Sequence, residues 1–187
     1  MSASPAAIFL NQAASTAGTE RVRRMVELAR DALSAEVHRA PGPADMRAWL
    51  KERMGDYETV VVVGGDGTLG MGYNIGAGHP GVRLGYLPAG FGNAAAHLLG
   101  LPREPEGIVE VLAHGDARPV DLVSVGERLA LFAGAGWDAE VTGRYDASKA
   151  RGLIGWAWAV AGSVTGLWSR GPVEITADGR IVHSGPM

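Results

Sequence analysis

Thr59-Val60-Val61-Val62-Val63-Gly64-Gly65-Asp66-Gly67-Thr68-Leu69 is the stretch from which the rest of the chain can be read. Five β-branched residues in a row, without polar alternation, predict a strand covered on both faces. That strand runs directly into three glycines within four positions. Glycine accepts backbone conformations closed to other residues and lets N–H groups converge on a ligand's oxygens. At the carboxyl end of a buried parallel strand, such a bend lies where open α/β sheets bind ligands, and a helix beginning there adds the positive end of its dipole. Backbone donors and a positive dipole suit an anion, above all a phosphate. Thr68 can cap the following helix or donate to a phosphate. Asp66 would repel phosphate unless it holds a cation. Its functional reading is therefore magnesium, direct or through water, set against a turn in which it only caps backbone.

Outward from this stretch the chain keeps a strand–helix rhythm. Residues 6–10 read as a short buried strand ended by Asn11, and residues 35–39 as a second. Thr19 is placed to cap a helix over 20–33, with Val22, Met25, Val26, Ala29 and Leu33 at helical spacing. A further helix is predicted over 45–54, a strand over 82–87, helices over 93–99 and 106–113, and a strand over 119–125. Alternation of this kind predicts an open, mostly parallel sheet with helices on both faces, here over residues 1–120. Beyond it the rhythm changes. Residues 129–133 and 173–177 read as strands, and Asp178-Gly179 as a hairpin turn. Residues 121–187 therefore read as the start of a β-rich second domain, with unpaired strands. An unfinished sheet edge predicts pairing with a second copy, a homodimer.

Composition removes several classes of function. The chain has 187 residues, 47% hydrophobic and 20% charged, which excludes a disordered chain. Seventeen Lys and Arg against 20 Asp and Glu leave no basic excess for nucleic acid. The absence of Cys excludes disulfides, thiolate chemistry and Cys-held metal, and fits a reducing compartment. Five scattered His residues show no metal-ligand spacing. Residues 152–168 carry no charge but hold four Gly, so a buried or half-buried helix is predicted there rather than a membrane span. Its stripe of Leu153, Trp156, Val160, Val164 and Leu167 reads as core, and Trp158, off the stripe, as a residue that can meet lipid at an interface. Gly65-x-Gly67-x-x-Gly70 matches a dinucleotide fingerprint, yet no Asp or Glu lies between Gly67 and Arg103 to bind a ribose. The Gly-Lys-Ser/Thr of a Walker loop is also missing.

A second glycine cluster, Pro88-Ala89-Gly90-Phe91-Gly92-Asn93, follows the next predicted strand and belongs at the same sheet edge. Asn93 there can cap a helix or bond to a nucleotide. With it the sequence resembles the catalytic domain of the diacylglycerol kinase family, which includes sphingosine, ceramide and bacterial lipid kinases. Gly64-Gly65-Asp66-Gly67-Thr68 is similar to that family's phosphate-binding motif, shared with NAD kinases. Pro88 to Asn93, followed by Leu98-Leu99-Gly100-Leu101-Pro102, resembles the lipid-kinase form. Arg118-Pro119-Val120-Asp121-Leu122, the block 133–141 and the opening Ile8-Phe9-Leu10-Asn11 are similar to further family blocks, in the family's order.

The resemblance implies transfer of the ATP γ-phosphoryl group to a lipid hydroxyl of a diacylglycerol or sphingoid type. It also implies a cytoplasmic protein working at a membrane surface. Asn11, Gly64, Gly65, Asp66, Gly67, Thr68, Gly90, Gly92 and Asn93 would bind nucleotide, and Asp66 and Asp121 magnesium. No residue is assigned as general base; Asp138 and Glu140, on a predicted loop, read as a solvated turn. The chain also departs from the family pattern. Met71 stands where a Glu is usual, Phe91 where Thr is, Ala94 where Asp is, and Gln12 follows Asn11 in place of Pro. These departures motivate an alternative, a non-catalytic relative that binds nucleotide and acts through a partner. An NAD kinase-like enzyme is the third reading.

Overall fold

A computed structural model describes residues 6–148, 152–164 and 172–185. The chain forms two compact units, Met1–Phe132 and Ala133–Met187. In the first, β1 (Ala6–Asn11), β2 (Glu36–Ala40), β3 (Thr59–Gly64) and β4 (Arg83–Pro88) build a parallel sheet in the order β2-β1-β3-β4. The connections are α1 (Glu20–Leu33), α2 (Pro43–Arg53) and α3 (Asp66–Gly76). The short α4 (Ala94–Leu98) and then α5 (Pro105–His114) follow β4. The chain leaves β1 in one direction to form β2 and returns past it to form β3. The order therefore reverses between β1 and β3, the position at which such sheets bind ligands.

The valine run of β3 is buried on both sides, and its side chains divide between two cores. Val61 and Val63 pack with Ile8 and Leu10 of β1, Val22, Met25, Val26 and Ala29 of α1, and Ile108 and Val109 of α5. Val60 and Val62 pack with Ala7 and Phe9, Met46 and Leu50 of α2, and Leu69 and Met71 of α3. The two-residue period of the strand sends alternate side chains to opposite helix layers. Thr19 caps α1 as its sequence predicts, its hydroxyl accepting from the Val22 N–H at 3.4 Å.

The strands predicted over 119–125 and 129–133 are shorter in the structure. β5 (Val123–Val125) and β6 (Arg128–Ala130) form an antiparallel hairpin, and residues 117–122 before it are irregular. Pro119 has no N–H to give a ladder, which keeps the start of the predicted strand out of pairing. The hairpin is tied to α3: Asn74 donates to the Leu129 carbonyl and accepts from the Leu129 N–H, at 2.8 and 2.9 Å.

The second unit holds α6 (Trp137–Ala147), α7 (Gly152–Ser163) and a hairpin of β7 (Val173–Ala177) and β8 (Arg180–Gly185). Asp178 and Gly179 both have positive φ, 50° and 73°, as a two-residue hairpin turn requires. The solvated turn predicted around Asp138 and Glu140 is instead the first turn of α6. Glu140 pairs with Arg144 one turn on, at 3.0 Å. The indole N–H of Trp137 reaches the Ser163 carbonyl at 3.2 Å. α7 buries its small residues, Gly155, Ala159 and Ser163, and leaves Leu153 and Trp156 exposed, as is Val164 just after it. Leu153, Trp156 and Val164 of the predicted inward stripe thus face outward and Val160 is half-buried, because the small-residue face allows the closer backbone approach. Trp158 is exposed as expected; Leu167 and Trp168 lie outside the described residues. Among the described residues no helix is long and apolar enough to cross a membrane.

Candidate active site

Three loops meet at the carboxyl edge of the parallel sheet: the one after β1, the one between β3 and α3, and the one between β4 and α4. Backbone bonds stitch them together. The Ala89 N–H donates to the Gly64 carbonyl at 2.7 Å, and the Thr16 N–H to the Ala89 carbonyl at 3.1 Å. Gly65 and Gly90 stand backbone to backbone. A β-carbon on Gly90 would lie 2.5 Å from the Gly65 Cα, which leaves no room for a side chain there, and one on Gly65 would press on the Gly90 Cα at 3.2 Å. A β-carbon on Gly64 would overlap the Thr68 side chain. By contrast, nothing lies within 4 Å of a β-carbon on Gly67 or Gly92. Gly64, Gly65 and Gly90 are therefore small for packing, whereas Gly67 and Gly92 leave open space.

The first turn of α3 is the chemically distinctive element. Of its leading N–H groups, those of Thr68 and Leu69 bond to the Gly65 carbonyl at 2.9 and 3.1 Å. Those of Asp66 and Gly67 have no acceptor within the helix. They open at the positive end of the helix dipole, beside the bare Cα of Gly67, an arrangement suited to an anion.

Of the polar side chains singled out in the sequence, Asn11, Asp66, Thr68 and Asn93 are engaged in hydrogen bonds. Asn11 is buried; its Nδ2 donates to Thr68 Oγ1 at 3.0 Å and its Oδ1 accepts from the Ala13 N–H at 3.1 Å. Thr68 is buried too, and the N-cap of α3 is Gly65, without a side-chain bond. Of the two uses open to Thr68, capping is therefore not realised. Asn93 sits in the left-handed region, φ 47°. Its Oδ1 accepts from the Gly90 N–H and its Nδ2 donates to the Gly90 carbonyl, both at 2.8 Å, and it does not cap α4. Asp66 reaches across to α4, Oδ2 accepting from the Ala94 N–H at 3.1 Å and Oδ1 from the Ala95 N–H at 2.8 Å. Asp66 thus caps backbone, and of a helix other than its own.

Asp66 keeps an unused lone pair on each oxygen. Asp121 lies on the exposed segment before β5, and no hydrogen bond or ion pair joins it to these loops. Among the described residues there is no cluster of three His, Cys, Asp or Glu able to hold a metal. This donor set fits a magnesium ion held chiefly by phosphate oxygens and water, with one carboxylate in support, and not a cage made by the protein. Where the resemblance implies a Glu, Met71 is buried in the core of α2 and α3. Phe91 is half-exposed at the tip of the second loop, and Ala94 meets Asp66 only through its backbone.

Sequence reasoning missed Tyr86. It is 5% exposed in β4, and its hydroxyl donates to Asn93 Oδ1 at 3.3 Å. Burial and then the neighbouring Asp66 charge raise its pKa. A strand Tyr reads as core, and only its buried hydroxyl, which needs a partner, hints at more. Two cavities, each of about 430 Å³, flank the sheet. One is at the amino-terminal edge of β3 and β4; the other runs beside β4, lined by Leu69, Tyr73, Leu84, Tyr86, Val120 and Leu131.

Residues 5–125 match the model of the diacylglycerol kinase catalytic domain. The chain belongs to that family. The kinase fold extends beyond the matched residues. A diacylglycerol kinase structure from Bacillus anthracis str. Sterne is similar over 98% of this chain and 62% of its own length, with a TM-score of 0.67 and 19% identity. A second structure from that strain, described provisionally as a diacylglycerol kinase, covers 98% of this chain and 64% of its own, with TM-score 0.67 and 17% identity. The chain thus spans less than two thirds of these kinases. No curated protein matches it. The open sheet with helices on both faces and the later antiparallel strand pairs are those of a diacylglycerol kinase fold.

Proposed function

We propose that this chain is the nucleotide-binding part of an ATP-dependent lipid kinase. The observation that carries the reading is the first turn of α3 at the switch point of the sheet, where the Asp66 and Gly67 N–H groups have no acceptor within the helix and a β-carbon on Gly67 would meet nothing within 4 Å. A triphosphate's oxygens are the ligand that two backbone donors, a helix dipole and a missing side chain suit best. The family is one of lipid kinases, so the acceptor is a lipid hydroxyl of a diacylglycerol or sphingoid type, met at a membrane surface. Phosphoryl transfer depends mainly on positioning and charge neutralisation. Gly67 and Gly92 keep the cradle open to phosphate, and Gly65 and Gly90 let its two loops pack together. Asn11 and Thr68 brace it from below, and Asn93 holds the second loop in shape. Magnesium, bound with the nucleotide, would offset phosphate charge, with Asp66 contributing its spare lone pairs.

One observation favours a second reading, a relative that binds nucleotide without transferring phosphate. Met71, Phe91 and Ala94 bring no carboxylate or hydroxyl to the loops, and among the described residues none near them is assigned as a general base. Calorimetry of ATP with magnesium on the 187-residue chain tests binding, and a radiolabelled-phosphate assay with diacylglycerol separates the two readings. Binding with transfer supports the kinase, and binding without transfer supports the second reading. Absence of ATP binding refutes both.

A further inference from the structure

We infer that Asp66 and Tyr86 are positioning residues that hold the second glycine loop in its phosphate-accepting shape before any ligand arrives. Asn93 is the piece they control. Its backbone is left-handed, φ 47°, a conformation that Asn adopts more readily than other residues with side chains and that the surrounding bonds fix here. Its amide closes a two-way pair with the Gly90 peptide, at 2.8 Å in each direction. Tyr86, on the rigid strand β4, pins the same Oδ1 with its hydroxyl at 3.3 Å. Immediately after Asn93, Asp66 accepts the N–H groups of Ala94 and Ala95 at 3.1 and 2.8 Å. The loop is therefore anchored on one side to the core and on the other to the helix that carries the open anion donors.

The bond lengths rank the two anchors. Carboxylate bonds to backbone N–H are charge-assisted and the stronger kind, whereas a 3.3 Å bond between a hydroxyl and an amide oxygen is long. Asp66 supplies most of the anchoring and Tyr86 a refinement. α4 is five residues long and cannot hold its own ends, so its start depends on Asp66. The small residues complete the device, since Gly90 lies against Gly65 and movement of one loop displaces the other. The phosphate cradle is then one preformed body, not two independent loops. This inference rests on the phosphate-cradle reading given above.

The test is residue-resolved amide exchange by NMR on the ligand-free full chain, followed by titration with ATP. Asp66→Asn keeps one acceptor oxygen but cannot accept both N–H groups. It is expected to speed exchange about tenfold or more at Ala94 and Ala95, and also at Gly90, three residues before Asn93 and not itself bonded to Asp66. Acceleration at Ala94 and Ala95 alone would overturn the coupling. Tyr86→Phe removes only the hydroxyl and leaves Asn93 Oδ1 with its Gly90 bond. The expected result is a melting temperature within about 2 °C of the parent, faster exchange at Gly90, and a Kd for ATP about threefold weaker. A lowered melting temperature with unchanged exchange at Gly90 would make Tyr86 a packing residue only, against the inference. If the parent chain binds no ATP, the kinase reading fails, and exchange at Gly90 in the two variants still decides whether the loops are coupled.

Discussion

Replacing Gly67 and Gly90 by alanine, one at a time, separates the two uses of glycine in this site. On Gly90 the new methyl would sit 2.5 Å from the Gly65 Cα and 2.8 Å from Asn93 Oδ1. Ordinary carbon contacts begin at about 3.5 Å, so the loops must part by about 1 Å. They are held together by the 2.7 Å bond from Ala89 to Gly64, and the atom in the way is backbone. Overpacking of this kind costs about 1–3 kcal/mol, or about 4–12 °C in melting temperature at about 4 °C per kcal/mol. Gly67→Ala meets nothing within 4 Å and lies in the first turn of α3. It should stabilise the fold by about 0.4–1 kcal/mol, by restricting the unfolded chain. Its methyl, however, stands where a phosphate would approach the Asp66 and Gly67 N–H groups. Loss of one charge-assisted bond, about 1.5–3 kcal/mol, weakens ATP about tenfold or more. Thermal unfolding and calorimetry on both variants read the two effects separately. Parent-like ATP affinity in Gly67→Ala would refute seating of phosphate on α3. A parent-like melting temperature in Gly90→Ala would show that the loops do not touch.

Two further outcomes are expected. Thr68→Val removes the acceptor of the buried Asn11 Nδ2 and leaves that donor unpaired. The cost is about 1–3 kcal/mol, read as a lowered denaturation midpoint, and a midpoint equal to the parent's would remove Asn11 as a brace. Alkaline pH should destabilise the first unit through two tyrosines. Burial raises both phenols, helped by Asp66 at Tyr86 and by the bond to Glu36 at Tyr57. A raised folded pKa gives stability that is whole below the unfolded value of about 10 and is lost as pH rises above it. Denaturation midpoints followed from pH 8 to 11 should therefore fall above pH 10, and less steeply in Tyr86→Phe.

Much of the first unit is legible because its local signals agree. The β3 valines have only one way to be buried on both faces, and α1 carries a cap and an apolar stripe that specify the same helix. The second unit is less legible. α6 has no clean apolar stripe, and Val141 is its buried apolar residue, so its helix rests on the Glu140–Arg144 pair and on packing with α7. In α7 every face is apolar or small, which leaves the inward face undecided until a neighbour selects the small one.

At the site, the amino-acid order alone places a glycine bend after a buried strand, a second bend after the next, and the residues that carry the family likeness. These are properties of neighbours along the chain. The partners of the polar side chains are not. Asn11 meets Thr68 across 57 positions, and Asp66 meets Ala94 and Ala95 across 28 and 29. The strand order β2-β1-β3-β4 brings these residues to one sheet edge, and only there do the buried amide and carboxylate find the donors and acceptors that burial demands. That is why Asp66 could be read from sequence as either a cation ligand or a cap, and why tertiary packing made it the cap of α4.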